Sequence, residues 1–253
     1  MQGGDEMRKK LFHLQFDFDA VVGLVSGAVM VLLSCAMNFF PDNTLAAILL
    51  RDILMIFVLG FLFPLYYVLR KEKKSLWVLG IHREKWKISL LIDVVCALVL
   101  WGVFSRESTG AIHFTLESFY AITYIFAAGI FEMLFIYGFL RYRFEQAFGI
   151  IPAILLTAAF YSFHHAGFQP EFAKLFFVGI LYTTVFFSTK NILVIFPFFW
   201  GVGAIWDVLV NSQAGKSITN IQSFLIAVCL LTGMVLASSF FYRMDRNKTR
   251  FIQ

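Results

Sequence analysis

Ala121–Leu140, AITYIFAAGIFEMLFIYGFL, is an apolar run that carries one charge, Glu132. About 20 such residues cross a hydrocarbon core of about 30 Å as a helix. A carboxylate at that depth costs several kcal/mol unless it has a partner or a task, which makes Glu132 a functional candidate by default. Downstream, Gly149 and Pro152 mark the end of one helix and the start of another, since Pro needs no amide donor in a first turn. In an antiparallel hairpin about that turn, His165 lies as far after Gly149 as Glu132 lies before it, about 16 residues or about 24 Å of rise. The two side chains are predicted to meet at one depth.

The rest of the chain has the same character. Of its 253 residues 60% are hydrophobic and 15% charged, 32 are Phe, and the mean hydropathy is +0.78. A soluble domain carries about 25% charged residues. Apolar runs near 18–40, 46–69, 87–104, 117–147, 150–166, 172–188, 191–210 and 220–242 predict an all-α, polytopic membrane bundle of about eight transmembrane helices. The expected organisation is a tail over 1–16, a transmembrane domain over 17–242 with its motif-bearing core at about 117–211, and a tail over 243–253. No small-residue cleavage site follows the first apolar run, so it is expected to stay as the first helix.

Charge sets the orientation. With the N-terminus inside, 17 of the 21 Lys and Arg fall in inner segments, and only Arg51, Arg106, Lys174 and Lys216 fall elsewhere. This bias predicts a multi-pass protein of the cell membrane with both termini cytoplasmic. The formal charge of +5 is then juxtamembrane, facing lipid headgroups of the bilayer and requiring no nucleic acid. Segment 70–87 mixes charge with Leu76, Trp77, Val78, Leu79 and Ile81, as an interfacial anchor does. Cys35, Cys96 and Cys229 lie in three separate runs, which argues for packing roles and against a disulfide framework or a CxxC metal site.

Four acidic residues fall well inside the spans, away from their ends. Asp52 adjoins Arg51 and Asp93 lies near the basic inner loop, so both read as structural. Glu132 and Asp207 have no basic residue within helical reach and need partners from other helices. His164 and His165 sit at matching depth, and Asp207 lies about 16 residues, or about 24 Å, from the inner end of its span near Asn191 if Pro197 does not kink it. A Glu beside a His can activate a water, the carboxylate taking a proton while imidazole orients the water or stabilises developing charge. A buried Glu and His can equally satisfy each other and fix helix register. The residues alone leave both readings open. No HExxH spacing is present, and neither a metal nor another cofactor is expected.

At these positions the chain resembles the CPBP family of intramembrane proteases, the CAAX-processing and bacteriocin-processing (Abi) group, whose helices carry EExxxR, FxxxH and HxxxN or HxxxD. Here the first motif retains Glu132 and the Gly138-Phe139-Leu140 that often follows, with Met133 and Tyr137 at the second Glu and the Arg. The second reads Phe160 to His164, or Tyr161 to His165 followed by Ala166-Gly167. His165 is preferred, because its depth suits Glu132. The third reads Gly203 to Asp207 and keeps only its acidic end. Met133 and Tyr137 are four apart, so an ion pair has been removed as a unit, leaving no unpaired charge, and Tyr137 offers a hydroxyl instead.

The resemblance implies an endopeptidase that cuts a membrane-anchored or lipidated polypeptide, with Glu132 as base and His165 as its partner. His164 and Asp207 would line the cavity, and Tyr137, Tyr161 and Gly203 would support it. Gly203 has no side chain to hold an oxyanion, a loss worth on the order of 100-fold unless His164 or a protonated Asp207 replaces it. The alternative is a catalytically silent relative that binds a membrane peptide, as in bacteriocin immunity. A proton-coupled carrier using Glu132 and Asp207 is a third reading, disfavoured because no matched pair of broken helices appears.

Overall fold

Phe131–Phe144 is buried without a break, so this part of the chain touches protein on every side. A helix that is apolar all round belongs in the middle of a bundle. The computed structural model, which describes residues 10–42, 44–108, 110, 112–165, 170–211 and 217–250 (side chains to 243), places it there. Ala166, Gly167, Lys216, residues 1–9 and residues 251–253 lie outside the described residues.

Among the described residues eight apolar helices follow in order: α1 Phe18–Met37, α2 Leu45–Lys71, α3 Trp86–Glu107, α4 Leu116–Phe148, α5 Ile150–His164, α6 Phe172–Thr189, α7 Phe198–Asn211 and α8 Ile221–Arg250. Six are long and apolar enough to cross a membrane, while α5 and α7 are shorter. The outer helices turn large side chains such as Leu91, Val95 and Leu98 of α3 outward, as lipid-facing surfaces do. The chain is a multi-pass membrane protein.

The hairpin forms where the sequence predicted it. Gly149 takes φ +86°, a left-handed value that favours glycine, and Pro152 sits in the first turn of α5. Span seven differs from expectation. The chain after Asn191 forms a short 3₁₀ turn, Ile192–Val194, and α7 begins only at Phe198, with Pro197 ahead of the helix rather than kinking it. The buried start of α7 is satisfied from another helix, because the Asp93 carboxylate of α3 accepts from the amides of Phe199 (2.5 Å) and Phe198 (3.4 Å). An acidic group at a helix N-terminus meets both its orphan amides and its dipole. Asp52 is likewise structural: it accepts from Arg51 at 3.0 and 3.2 Å and from the Tyr124 hydroxyl.

The two ends of the bundle are built differently. At one end, Arg143 bonds Glu72 through two nitrogens (2.5 and 2.6 Å) and also pairs with Asp19, while Lys74 donates to the Tyr142 hydroxyl (3.0 Å). Arg141 pairs with Glu145, which Lys190 reaches at 3.3 Å. Arg141 and Arg143, counted among the inner charges expected to face headgroups, are buried in the last turns of α4. Their carboxylate partners make that burial tolerable. Cys35 and Cys96 are partly buried and Cys229 is exposed, and all three are free thiols.

Burial alone would raise the Glu72 carboxyl, but the Arg143 guanidinium overrides it and holds the group below its ordinary value of 4.5. Glu72 therefore stabilises the fold above the ordinary carboxylate range, and that stabilisation is lost as pH falls through the depressed value. Thermal unfolding in detergent is expected to show an acid-side loss of melting temperature that is smaller in Glu72→Gln. Identical acid limbs in the two proteins would refute the linkage.

Candidate active site

Glu132 is buried at the start of a stretch, Glu132–Leu140, in which the helix widens to π geometry. The i→i+5 pattern brings Glu132 and Tyr137 toward one face, and such bulges recur at functional sites. Two other helices meet the carboxylate. Trp200 of α7 donates its indole N–H to Oε2 at 2.9 Å, and His164 at the end of α5 sets Nε2 3.6 Å from Oε1. Gly129, one turn before Glu132, lets the Trp200 ring lie against α4, where any Cβ would overlap the indole.

Both histidines are oriented from behind. His164 Nδ1 lies 3.2 Å from the Ser34 hydroxyl of α1, which also stands 3.0 Å from the Met30 carbonyl and 3.3 Å from the Met55 sulfur. His165 Nδ1 donates to the Tyr161 carbonyl at 2.8 Å. The two imidazoles touch edge to face, with ring centres 4.4 Å apart. The hairpin count thus brings both histidines to Glu132. One ligand-type atom from each of Glu132, His164 and His165 lies within 4.8 Å of the others. Ligand atoms around a tetrahedral zinc with bonds of about 2.1 Å are about 3.4 Å apart, so this trio would have to contract to hold one.

The remaining positions form a second layer. Tyr137 is buried, its hydroxyl has no hydrogen-bond partner among the described residues, and its ring packs against Tyr161 (5.6 Å) and Tyr182 (5.8 Å). Tyr161 in turn lies edge-on to His165 at 4.8 Å. Gly203 faces α6, where a Cβ would stand 2.6 Å from the Tyr182 hydroxyl. The space that a side chain at 203 would enter is therefore held by a phenol from another helix.

Asp207 finds a different partner from the one expected, bonding Lys174 Nζ of α6 at 2.6 Å, while Lys174 also reaches Glu171 at 3.0 Å. These three residues are partly exposed.

Sequence reasoning missed Trp200, Ser34 and Tyr182. Trp200 carried one usable signal, an indole N–H in an apolar run that must find an acceptor. Ser34 and Tyr182 carried none.

Residues 114–209 match the family model described as Type II CAAX prenyl endopeptidase Rce1-like, in agreement with the CAAX-processing resemblance of the motifs. The match takes in Glu132, both histidines, Tyr182, Trp200, Gly203 and Asp207. No curated protein and no solved structure matches the chain.

Hydrogen bonds to a charged group contribute about 1.5–3 kcal/mol. A double-mutant cycle of Trp200→Phe with Glu132→Gln, read by denaturant or thermal unfolding, is expected to give a coupling of that size. A coupling indistinguishable from zero would show that the indole does not hold the carboxylate.

Proposed function

With the match to a CAAX prenyl endopeptidase family as premise, we propose that the chain is an intramembrane peptide hydrolase that cuts a membrane-anchored or lipidated polypeptide with water activated by Glu132. The observation that carries this reading is the facing of Glu132 Oε1 and His164 Nε2 at 3.6 Å. That separation is too long for a direct hydrogen bond and short enough for one water to bond both. With Ser34 accepting from His164 Nδ1, the imidazole carries its proton there and turns a lone pair toward the carboxylate. Two acceptors then face one position. A water there donates one O–H to Glu132 and the other to His164, leaving its lone pair for a carbonyl carbon.

In the first step Glu132 takes the water proton, the oxygen bonds the carbonyl carbon, and the carbonyl electron pair moves onto its oxygen. In the second step that pair returns, the C–N bond breaks, and Glu132 passes its proton to the leaving amine. The second oxygen of Glu132 stays bonded to Trp200 throughout, which fixes the direction of the base. His165, tied to the Tyr161 carbonyl, supports His164 by edge contact.

The oxyanion needs donors that these histidines, protonated on Nδ1, do not supply. Tyr182 fits that task, because its hydroxyl occupies the space beside Gly203. Tyr137, whose hydroxyl is otherwise unpartnered, is the second donor. Asp207, paired with Lys174, has a boundary role and no part in the proton transfers.

Protein in lipid vesicles, assayed against tagged single-span and lipidated peptides, tests this scheme. Glu132→Gln is expected to lose about 10²–10⁴-fold in kcat, and Tyr182→Phe about 10²–10³-fold with KM unchanged. His164→Ala should fall further than His165→Ala. Cleavage by Glu132→Gln at the wild-type rate would eliminate the base. Binding of peptide without cleavage by the wild type would favour the silent, peptide-binding relative.

A further inference from the structure

The chain just ahead of α1 is seated on the bundle, and its seat is the C-terminal end of α4. The last four carbonyls of a helix have no partner within it. In α4 the Glu145 carbonyl accepts from the Gly149 amide at 3.1 Å. The Phe148 and Ala147 carbonyls accept from the amides of His13 (3.0 Å) and Gln15 (2.9 Å). The Gln146 carbonyl accepts from His13 Nε2 at 2.8 Å, across 133 residues of sequence. One short segment thus caps the end of the helix that carries Glu132. Gly149 makes room for it, because a Cβ there would stand 2.9 Å from the Leu11 carbonyl oxygen.

Residues 12–16 are not helical, and two amides two residues apart turn to α4, as in an extended chain. Side chains of such a chain alternate between two sides. His13 turns its ring to α4, whereas Phe12, Leu14 and Phe16 are 58%, 80% and 72% exposed. Phe18, the first residue of α1, continues this exposed row.

The position of the row says what covers it. It runs without a break into α1, a helix long and apolar enough to cross a membrane, whose Val21 and Val25 are exposed in the same way. Phe16 precedes that helix by two residues, at most about 7 Å of chain, so the row stands at the edge of the hydrocarbon. The Arg143–Asp19 pair places the start of α1 and the end of α4 at one end of the bundle. The first ten residues, MQGGDEMRKK, offer only Met1 and Met7 as apolar groups, too few to bury the row. Arg8, Lys9 and Lys10 directly precede it, and cations beside Phe and Leu suit the boundary between phosphates and acyl chains.

We propose that residues 11–18 form a strap in the headgroup layer at the Arg143 end of the bundle, with Phe12, Leu14 and Phe16 set among the acyl chains. Lipid is the partner of the row, and the strap ties the end of α4 to the bilayer surface. This holds whether or not Glu132 performs chemistry.

The contact is tested in lipid nanodiscs with a protein whose Cys35, Cys96 and Cys229 are replaced by Ala. An environment-sensitive fluorophore is attached at Leu14→Cys, or at Val25→Cys as a deeper reference. Interfacial segments bury their apolar face about 5–10 Å, so a nitroxide near the headgroup is expected to quench the label at 14 about twofold more than one near the chain end. The order should reverse at 25. Quenching at 14 by aqueous iodide alone would place the row in water and overturn the proposal. Protection from both quenchers would overturn it too, with a second copy as the occupant if the protection appears only in discs that hold two.

Amide hydrogen exchange reads the cap. In a variant combining Phe12→Ser, Leu14→Ser and Phe16→Ser, the His13 and Gln15 amides are expected to exchange about tenfold faster than in the wild type, with exchange in α8 unchanged. Equal rates at His13 and Gln15 would show that lipid does not hold the strap in place.

Discussion

The dependence of this structure on one buried carboxylate begins with its solvation. Glu132 cannot be left bare among Phe131, Met133 and Phe135, and no Lys or Arg lies within two turns of it along its own helix. Its oxygens are met by α7 through Trp200 and by α5 through His164, and His164 is itself steadied from α1 by Ser34. The cost of the charge thus fixes the relative position of four helices. Much of the bundle's specificity sits around a group that apolar packing alone would have excluded.

Two kinds of polar interior coexist. Asp52 and Asp93 are closed: their carboxylate oxygens have partners within bonding distance. The cluster at Glu132 is open, with His164 Nε2 and the Tyr137 hydroxyl lacking hydrogen-bond partners among the described residues. Closed clusters hold helices together, whereas an open one can accept a guest. That difference, more than the identity of the acidic residues, separates framework from candidate site.

How much of this could be read from the sequence depended on how local the determinant was. Eight apolar runs, the Gly149–Pro152 turn and the depth match of Glu132 with His164 and His165 were legible, because helical rise and turn chemistry act along the chain. The bond of Asp207 to Lys174 was not legible, because it joins α7 to α6 across the bundle. Arg141 and Arg143 were read as headgroup-facing because their partners, Glu72 and Asp19, come from distant segments. Trp200, Tyr182 and Ser34 enter the site through contacts between helices that no spacing rule encodes, although the missing side chain at Gly203 hinted that something else fills that space.

The Asp93 contact has a mechanical side. α7 carries the indole that grips Glu132, and the lower end of α7 hangs from a carboxylate on α3. α3 is among the spans least enclosed by protein, with a flank of Leu91, Val95 and Leu98 turned outward. The anchor of the buried acid is therefore suspended from a strut whose other neighbour is the lipid itself. The fluid around the protein becomes one of the walls that keep the carboxylate in place.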